Sequence, residues 1–312
     1  IYTGWYTLSL HDALPISADP GPASRSEELL NQHSGVKLIN RIIHNRRILY
    51  LISWGEKYAS HFDLNFLTIT GDEVPRSKTP EMGQIYLLEI PFLILGIVFT
   101  LKTQSFSSKT KIFLFLFLFI SPIASSLTFQ APSALRALPM VIPLTIFISC
   151  GIYYFFSLIH ESKIMNLISI LFILVYSYSI AYYFDSYFFH YAKRYPFAWQ
   201  YQFDQLVPYV ETQKNNYQNI SITDKYDQPY ILFLFFSKYP PQKIQSQITL
   251  TQPDKYGFST VLSYDNYHFG KINWSQIPDD SLVITSDEDI PQEPFKTIYF
   301  SNGQPAFKIY QK

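Results

Sequence analysis

The sequence holds a single cysteine, Cys150, inside an apolar run. That excludes a disulfide framework and a cysteine-based metal centre within one chain. Charge is scarce too. Only 15% of the 312 residues are charged, against about 25% in an average soluble domain. Formal net charge is zero, so no bulk positive field points to nucleic acid. The motifs of several enzyme classes are missing: there is no phosphate-binding glycine loop, no H-E-x-x-H and no G-x-S-x-G. There is also no initiator Met and no signal peptide with a cleavage site. A truncated gene, with the true N-terminal part missing, is the expectation.

What is present is apolar and aromatic. Hydrophobic residues make up 48% of the chain and aromatic ones 18%, with 25 Tyr and 27 Phe. Many of these rings flank the apolar runs, as amphipathic rings do at a bilayer interface. The charge deficit is concentrated between Ile85 and Phe184, and the last third reads like a soluble domain.

Thr7 to Ile16, TLSLHDALPI, reads as the translation of a sequencing adaptor, so residues 1–16 are set aside as a scar. Residues 17–34 are polar and loop-like, with a short helix expected over 26–31. In 35–60, Val36, Leu38, Ile39, Ile42 and Ile43 recur at helical spacing, with Lys37, Arg41, Arg46 and Arg47 between them. Such a helix suits the membrane interface, apolar side down and basic groups at phosphate level. A surface helix packed on a neighbouring domain is the alternative.

Four apolar runs follow, at 85–101, 112–127, 138–159 and 164–184. A helix needs about 20 residues to cross about 30 Å of hydrocarbon. The last two runs meet this length directly, and the first two come close. Residues 112–120, IFLFLFLFI, show no polar stripe of the kind a soluble helix carries. Lys102, Lys109 and Lys111 lie between the first two runs and Lys163 between the last two, while the loop 128–137 carries only Arg136. The positive-inside rule then places the lysine loops in the cytoplasm. Residues 17–83, the loop 128–137 and everything after Phe184 fall outside.

The C-terminal part alternates helical and strand patterns. Helices are expected over 197–215 and 228–238. Strands are expected over 220–223, 259–262, 268–272, 282–285, 297–300 and 306–310. Alternation of this kind predicts a small α/β domain. The expected fold class is therefore a membrane α-helical bundle of about four spans plus a C-terminal extracytoplasmic α/β domain. The segments are 17–83 as an extracytoplasmic loop with an amphipathic helix, 84–184 as four transmembrane helices, and 185–312 as the α/β domain.

Three places can carry chemistry. The loop 61–83 holds His61, Asp63, Asp72, Glu73, Arg76 and Lys78 beside the first span. It is either a site at the lipid–water boundary or a solvated connector. Arg136 sits at the mouth of the third span, where a guanidinium can clamp a lipid phosphate through two hydrogen bonds or snorkel to headgroups. Glu89 lies about one turn inside the first span, where carboxylates face a cavity or the bundle interior. Asn219-Ile-Ser221 and Asn273-Trp-Ser275 match the glycosylation pattern, which is too short to weigh much.

The ordered set HFDLNFLTITGDEVPR, MGQIYLLEIPFLILGI and SALRALPMVIPL resembles the second half of bacterial polytopic glycosyltransferases of the protein-mannosyltransferase-like group, which includes the ArnT-like enzymes of GT-C architecture. RYPFAWQYQFDQLVPYV and ITDKYDQPYILFLFFSKYPP resemble the outer domain of the same proteins. The resemblance spans about residues 24–312. It implies a plasma-membrane enzyme that takes a sugar from a polyprenyl-phosphate donor on the outer face and passes it to a protein, lipid or glycan acceptor. The catalytic base of that group lies in a first outer loop upstream of the residues here, so Asp72 and Glu73 do not fill the role. Arg136, and after it Arg76, are the expected donor-phosphate ligands, with His61, Asp72 and Glu89 lining the site. No metal ligand set stands out, although many such enzymes bind a divalent metal. The alternative reading is a non-enzymatic membrane anchor presenting an α/β binding domain.

Overall fold

The computed structural model describes residues 14–32, 42–254 and 257–312. They fall into two compact units, one ending at His190 and one running Tyr191–Lys312. The expected scar lies largely outside the described residues. Its last residues, however, bond to the chain: Ile16 N donates to Leu127 O at 2.8 Å and Phe129 N to Leu14 O at 2.7 Å. The apolar pattern at 36–39 also lies outside the described residues.

The first unit is helical. Helix α1 spans Gly21–Gln32, longer than the expected 26–31. Helix α2, Arg46–Ser60, starts at Asn45, whose side chain accepts from Arg47 N at 2.9 Å and satisfies one open donor of the first turn. Two long-range bonds start from α2: Tyr58 Oη donates to Phe119 O at 2.8 Å and Lys57 Nζ to Phe129 O at 2.7 Å. Helix α3 spans Glu89–Lys102 and α4 spans Ser108–Ile120, with Ser107 as its cap. A one-turn helix, Ile123–Ser126, follows Pro122. Helices α5, Val141–Ile159, and α6, Met165–Asp185, complete the unit.

Among the described residues three helices are long and apolar enough to cross a membrane: Ser108–Ser126, Leu138–Ile159 and Met165–Arg194. The first expected span is shorter than predicted. With 14 residues, α3 rises only about 21 Å, because Tyr86–Leu88 stay outside the helix and Glu89 begins it. The long helices leave their apolar side chains uncovered. Leu167, Ile170, Leu171, Ile173 and Leu174 are all more than half exposed, a surface that lipid covers at no cost and water does not.

Helices α3 and α5 cross at glycines. A methyl group on Gly96 would lie 1.7 Å from Phe147 O, and one on Gly151 would lie 1.8 Å from Phe92 O. Only glycine at both positions lets the two backbones touch, and in lipid such close packing takes over the role that hydrophobic burial plays in water.

The second unit is a seven-stranded sheet with helices against it. The strands are β1 Asn219–Thr223, β2 Thr249–Leu250, β3 Val261–Tyr264, β4 Tyr267–Gly270, β5 Ser281–Thr285, β6 Lys296–Tyr299 and β7 Pro305–Gln311. Their order is β2-β3-β4-β1-β5-β7-β6. Strand β1 is parallel to β4 and β5, and the other pairings are antiparallel. Helices α7, Phe203–Gln213, α8, Pro229–Phe236, and α9, Pro241–Gln247, complete the unit. On α7 the buried residues Phe203, Leu206, Val207 and Val210 repeat at helical spacing. They pack on Ile220, Ile222, Leu282, Ile284 and Phe307 of the sheet, each such side chain contributing about 1.5–3 kcal/mol.

The helix expected over 197–215 is broken at its start. Gln200 and Gln202 are left-handed, at φ 52° and 81°. Their side-chain amides are anchored, Gln200 Nε2 donating to Tyr226 O at 2.7 Å and Gln202 Nε2 to Tyr299 O at 2.6 Å. These tertiary bonds hold a turn that local propensity does not favour. Helix α9 and strand β2 lie outside the expected elements.

Candidate functional site

The site is built where the loop after α2 meets the loop before α5. The first loop is folded tightly. A methyl group on Gly83 would lie 2.2 Å from Thr68 N, so the chain doubles back on itself and Ile85 N donates to Leu67 O at 2.8 Å. Asp72 is held inside this fold.

His61 and Asp72 are both fully buried, at 0% exposure, and both reach into the same stretch of the second loop. His61 Nδ1–H donates to Lys57 O at 2.8 Å. That bond makes Nε2 an acceptor, which takes the Ser125 hydroxyl at 2.7 Å and Ser133 N–H at 3.3 Å. The ring is thereby set as the neutral Nδ1–H tautomer. Burial pushes its pKa down, against the opposing pull of the Lys57 and Tyr58 backbone and the Asp72 charge. Asp72 Oδ1 accepts Val74 N–H at 2.8 Å and Oδ2 accepts Ala134 N–H at 2.6 Å. Burial raises its pKa, and those two amides, then Lys78 and Arg136, work the other way. Consecutive amides, Ser133 and Ala134, thus dock onto an imidazole and a carboxylate from the other loop.

Arg136 stands two residues further on and is half-buried. Its Nη1 donates to Gln130 O at 3.0 Å and to Thr128 Oγ1 at 3.2 Å. Among the described residues its other N–H groups have no hydrogen-bond partner, and its counter-charge is Asp72. Arg76 is half-buried on the turn Pro75–Ser77, with Nε enclosed and unpartnered. Lys78 is drawn down in pKa by burial, with Asp72 and Glu73 opposing. Lys78 and Arg136 are the positive charges that act on Asp72, and the neutral His61 lies within reach of the same carboxylate.

His61, Asp72 and Arg136 are therefore brought together. Arg76 lies on the same loop as Asp72, and among the described residues no hydrogen bond or ion pair links it to His61, Asp72 or Arg136. Glu89 is elsewhere: it is 8% exposed, Oε2 accepts Tyr86 N–H at 2.8 Å, Oε1 accepts the Tyr176 hydroxyl, and the carboxylate lines a separate cavity. Ser125 and the Ser133 amide are site members that the sequence does not single out. Only the run of small polar residues SPIASSLT hints at the serines. Among the described residues no three His, Cys, Asp or Glu side chains converge, so a divalent metal finds no ligand set there. An apolar cavity of ≈ 70 Å³ adjoins Ala134, lined by Phe66, Leu67, Leu138 and Leu144 among others.

No family model, curated protein or solved structure matches this chain.

Proposed function

We propose that the chain is part of a plasma-membrane glycosyltransferase that moves a sugar from a polyprenyl-phosphate donor to a protein, lipid or glycan acceptor on the outer face. In this reading α3 is a fourth, short span that the bilayer accommodates by thinning, and Tyr191–Lys312 is extracytoplasmic. In the reaction, the sugar C1–O bond to the donor phosphate breaks as the acceptor oxygen bonds to C1. The acceptor proton goes to a base not assigned to these residues. The phosphate keeps the bonding electron pair, and a fixed guanidinium stabilises it as charge develops. The observation that supports this best is Arg136, locked by one nitrogen to its own loop with the rest of its fork open. Asp72 is not assigned as the base; it holds the two loops together, Oδ1 accepting Val74 N–H of its own loop and Oδ2 accepting Ala134 N–H of the other. The apolar cavity beside Ala134 suits the first isoprene units.

The test is binding by the full chain in nanodiscs. Farnesyl phosphate should bind at least tenfold more tightly than farnesol. Arg136→Lys keeps the charge and loses the fork. It should weaken phosphate binding about tenfold or more, as expected for a lost charge-assisted hydrogen bond of about 1.5–3 kcal/mol. Equal binding of phosphate and alcohol would favour the anchor reading instead. Normal binding by the lysine variant would move the contact to Arg76.

A further inference from the structure

The Glu89 cavity has none of His61, Asp72 and Arg136 in its lining. It has a volume of ≈ 340 Å³, about ten water volumes. One wall is a single face of α5, Val141, Thr145, Ile148 and Ile152, running about 16 Å along the helix axis. Facing it are Met82, Ile85, Tyr86 and Glu89, with Tyr176 and Tyr183 from α6. The wall hydroxyls are already satisfied: Thr145 donates to Val141 O at 2.8 Å and Ser149 to Thr145 O at 2.7 Å. The carboxylate is the exception. Both of its oxygens act as acceptors, from Tyr86 N–H and the Tyr176 hydroxyl. No Lys, Arg or His among the described residues pairs with it. A buried carboxylate in apolar surroundings calls for a cation. The rings of Tyr86 and Tyr176 meet edge to face, centroids 5.6 Å apart, and aromatic rings at such a site add cation–π attraction.

We infer that this cavity binds the ammonium headgroup of a bilayer lipid, with Glu89 as its counter-ion. Three features select that ligand. The oxygens' remaining lone pairs accept N–H bonds, which a primary ammonium supplies and a quaternary one does not. The wall is mostly apolar and lies between helices of membrane length. Gln84, Ile85 and Val141 also line the adjoining apolar cavity, so a headgroup at Glu89 has apolar surface on hand for the chain attached to it. The inference does not rest on the transferase reading.

The experiment titrates the detergent-solubilised full chain with dioleoyl-phosphatidylethanolamine, -phosphatidylcholine and -phosphatidylglycerol and follows bound lipid by native mass spectrometry. The ethanolamine lipid should bind at least tenfold more tightly than the other two, and Glu89→Gln should bring the three within about twofold. Since Glu89 also holds Tyr86 and Tyr176, a second variant leaves the carboxylate untouched. Thr145→Leu fills the wall and should weaken ethanolamine-lipid binding at least fivefold with an unchanged unfolding temperature. Ethylammonium chloride, the same cation without a chain, should fail to displace the lipid at equal concentration. Equal binding of the three lipids by the unaltered chain would overturn the inference. So would selectivity that survives in a folded Glu89→Gln variant, an unaffected Thr145→Leu variant, or displacement by ethylammonium at equal concentration.

Discussion

His61 illustrates how one tautomer decides a residue's behaviour. With Nδ1–H committed to Lys57 O, Nε2 faces two donors, and protonating it puts a hydrogen against Ser133 N–H. Burial lowers the folded pKa. The unfolded chain takes up the proton first, near the ordinary value of about 6.5. The stability that neutral His61 contributes is thus present above about pH 6.5 and is lost as pH falls through the lowered folded value. At pH 7.5 His61→Gln should be less stable than the native chain by about 1–3 kcal/mol for the bond partners left unpaired, and that gap in thermal unfolding should narrow as pH falls to 5. Parallel pH profiles for the two would show that the His61 pKa is the same in the folded and unfolded chains. Asp72 has the opposite sign. Its raised pKa gives a contribution present below 3.8 and lost as pH rises through the folded value.

At the scale of elements the α3–α5 crossing dominates the first unit. A glycine in a helix is a cost in water, about 1 kcal/mol relative to Ala, and here it is what makes contact possible. Gly96→Ala or Gly151→Ala should force the helices apart and lower stability by about 1–3 kcal/mol, as overpacking does, despite the better helix propensity. Because each methyl would strike the opposite backbone, the double variant should lose less than the sum of the singles. Denaturation in detergent measures both. A gain in stability on Gly96→Ala would mean the crossing is looser than described. The same crossing explains why the short α3 keeps its place. It is held by Gly96 and Gly151 on one side and by the Glu89 carboxylate at its start, which accepts Tyr86 N–H.

At the scale of the whole molecule, the positive-inside rule predicts sidedness from the charge of short loops. Gln104, in the lysine-rich loop after α3, and Ser259, in the second unit, are both exposed. In a Cys150→Ser background, Gln104→Cys should resist a membrane-impermeant thiol reagent in intact cells, and Ser259→Cys should react. The reverse labelling would invert the chain and place the His61–Asp72–Arg136 cluster in the cytoplasm.

Segment type was legible wherever a long run repeats one signal. The apolar stretches at 112–126, 138–159 and 164–184 needed only composition, because a bilayer selects for length and apolarity summed over many residues. The strands at β1, β5 and β7 needed only β-branched and aromatic runs bounded by turns. Arg136 stood out because it is the one charge in its loop. The tertiary structure decided whatever depends on one atom meeting another far along the chain. Gln200 and Gln202 turn left-handed because carbonyls of Tyr226 and Tyr299 hold their amides. Glu89 is bonded to Tyr86 and Tyr176 rather than to an arginine. The docking of Ser133 onto His61 and of Ala134 onto Asp72 joins residues 72 and 62 positions apart. It passes through backbone amides, which every residue but proline carries, so no residue type in the sequence announces it.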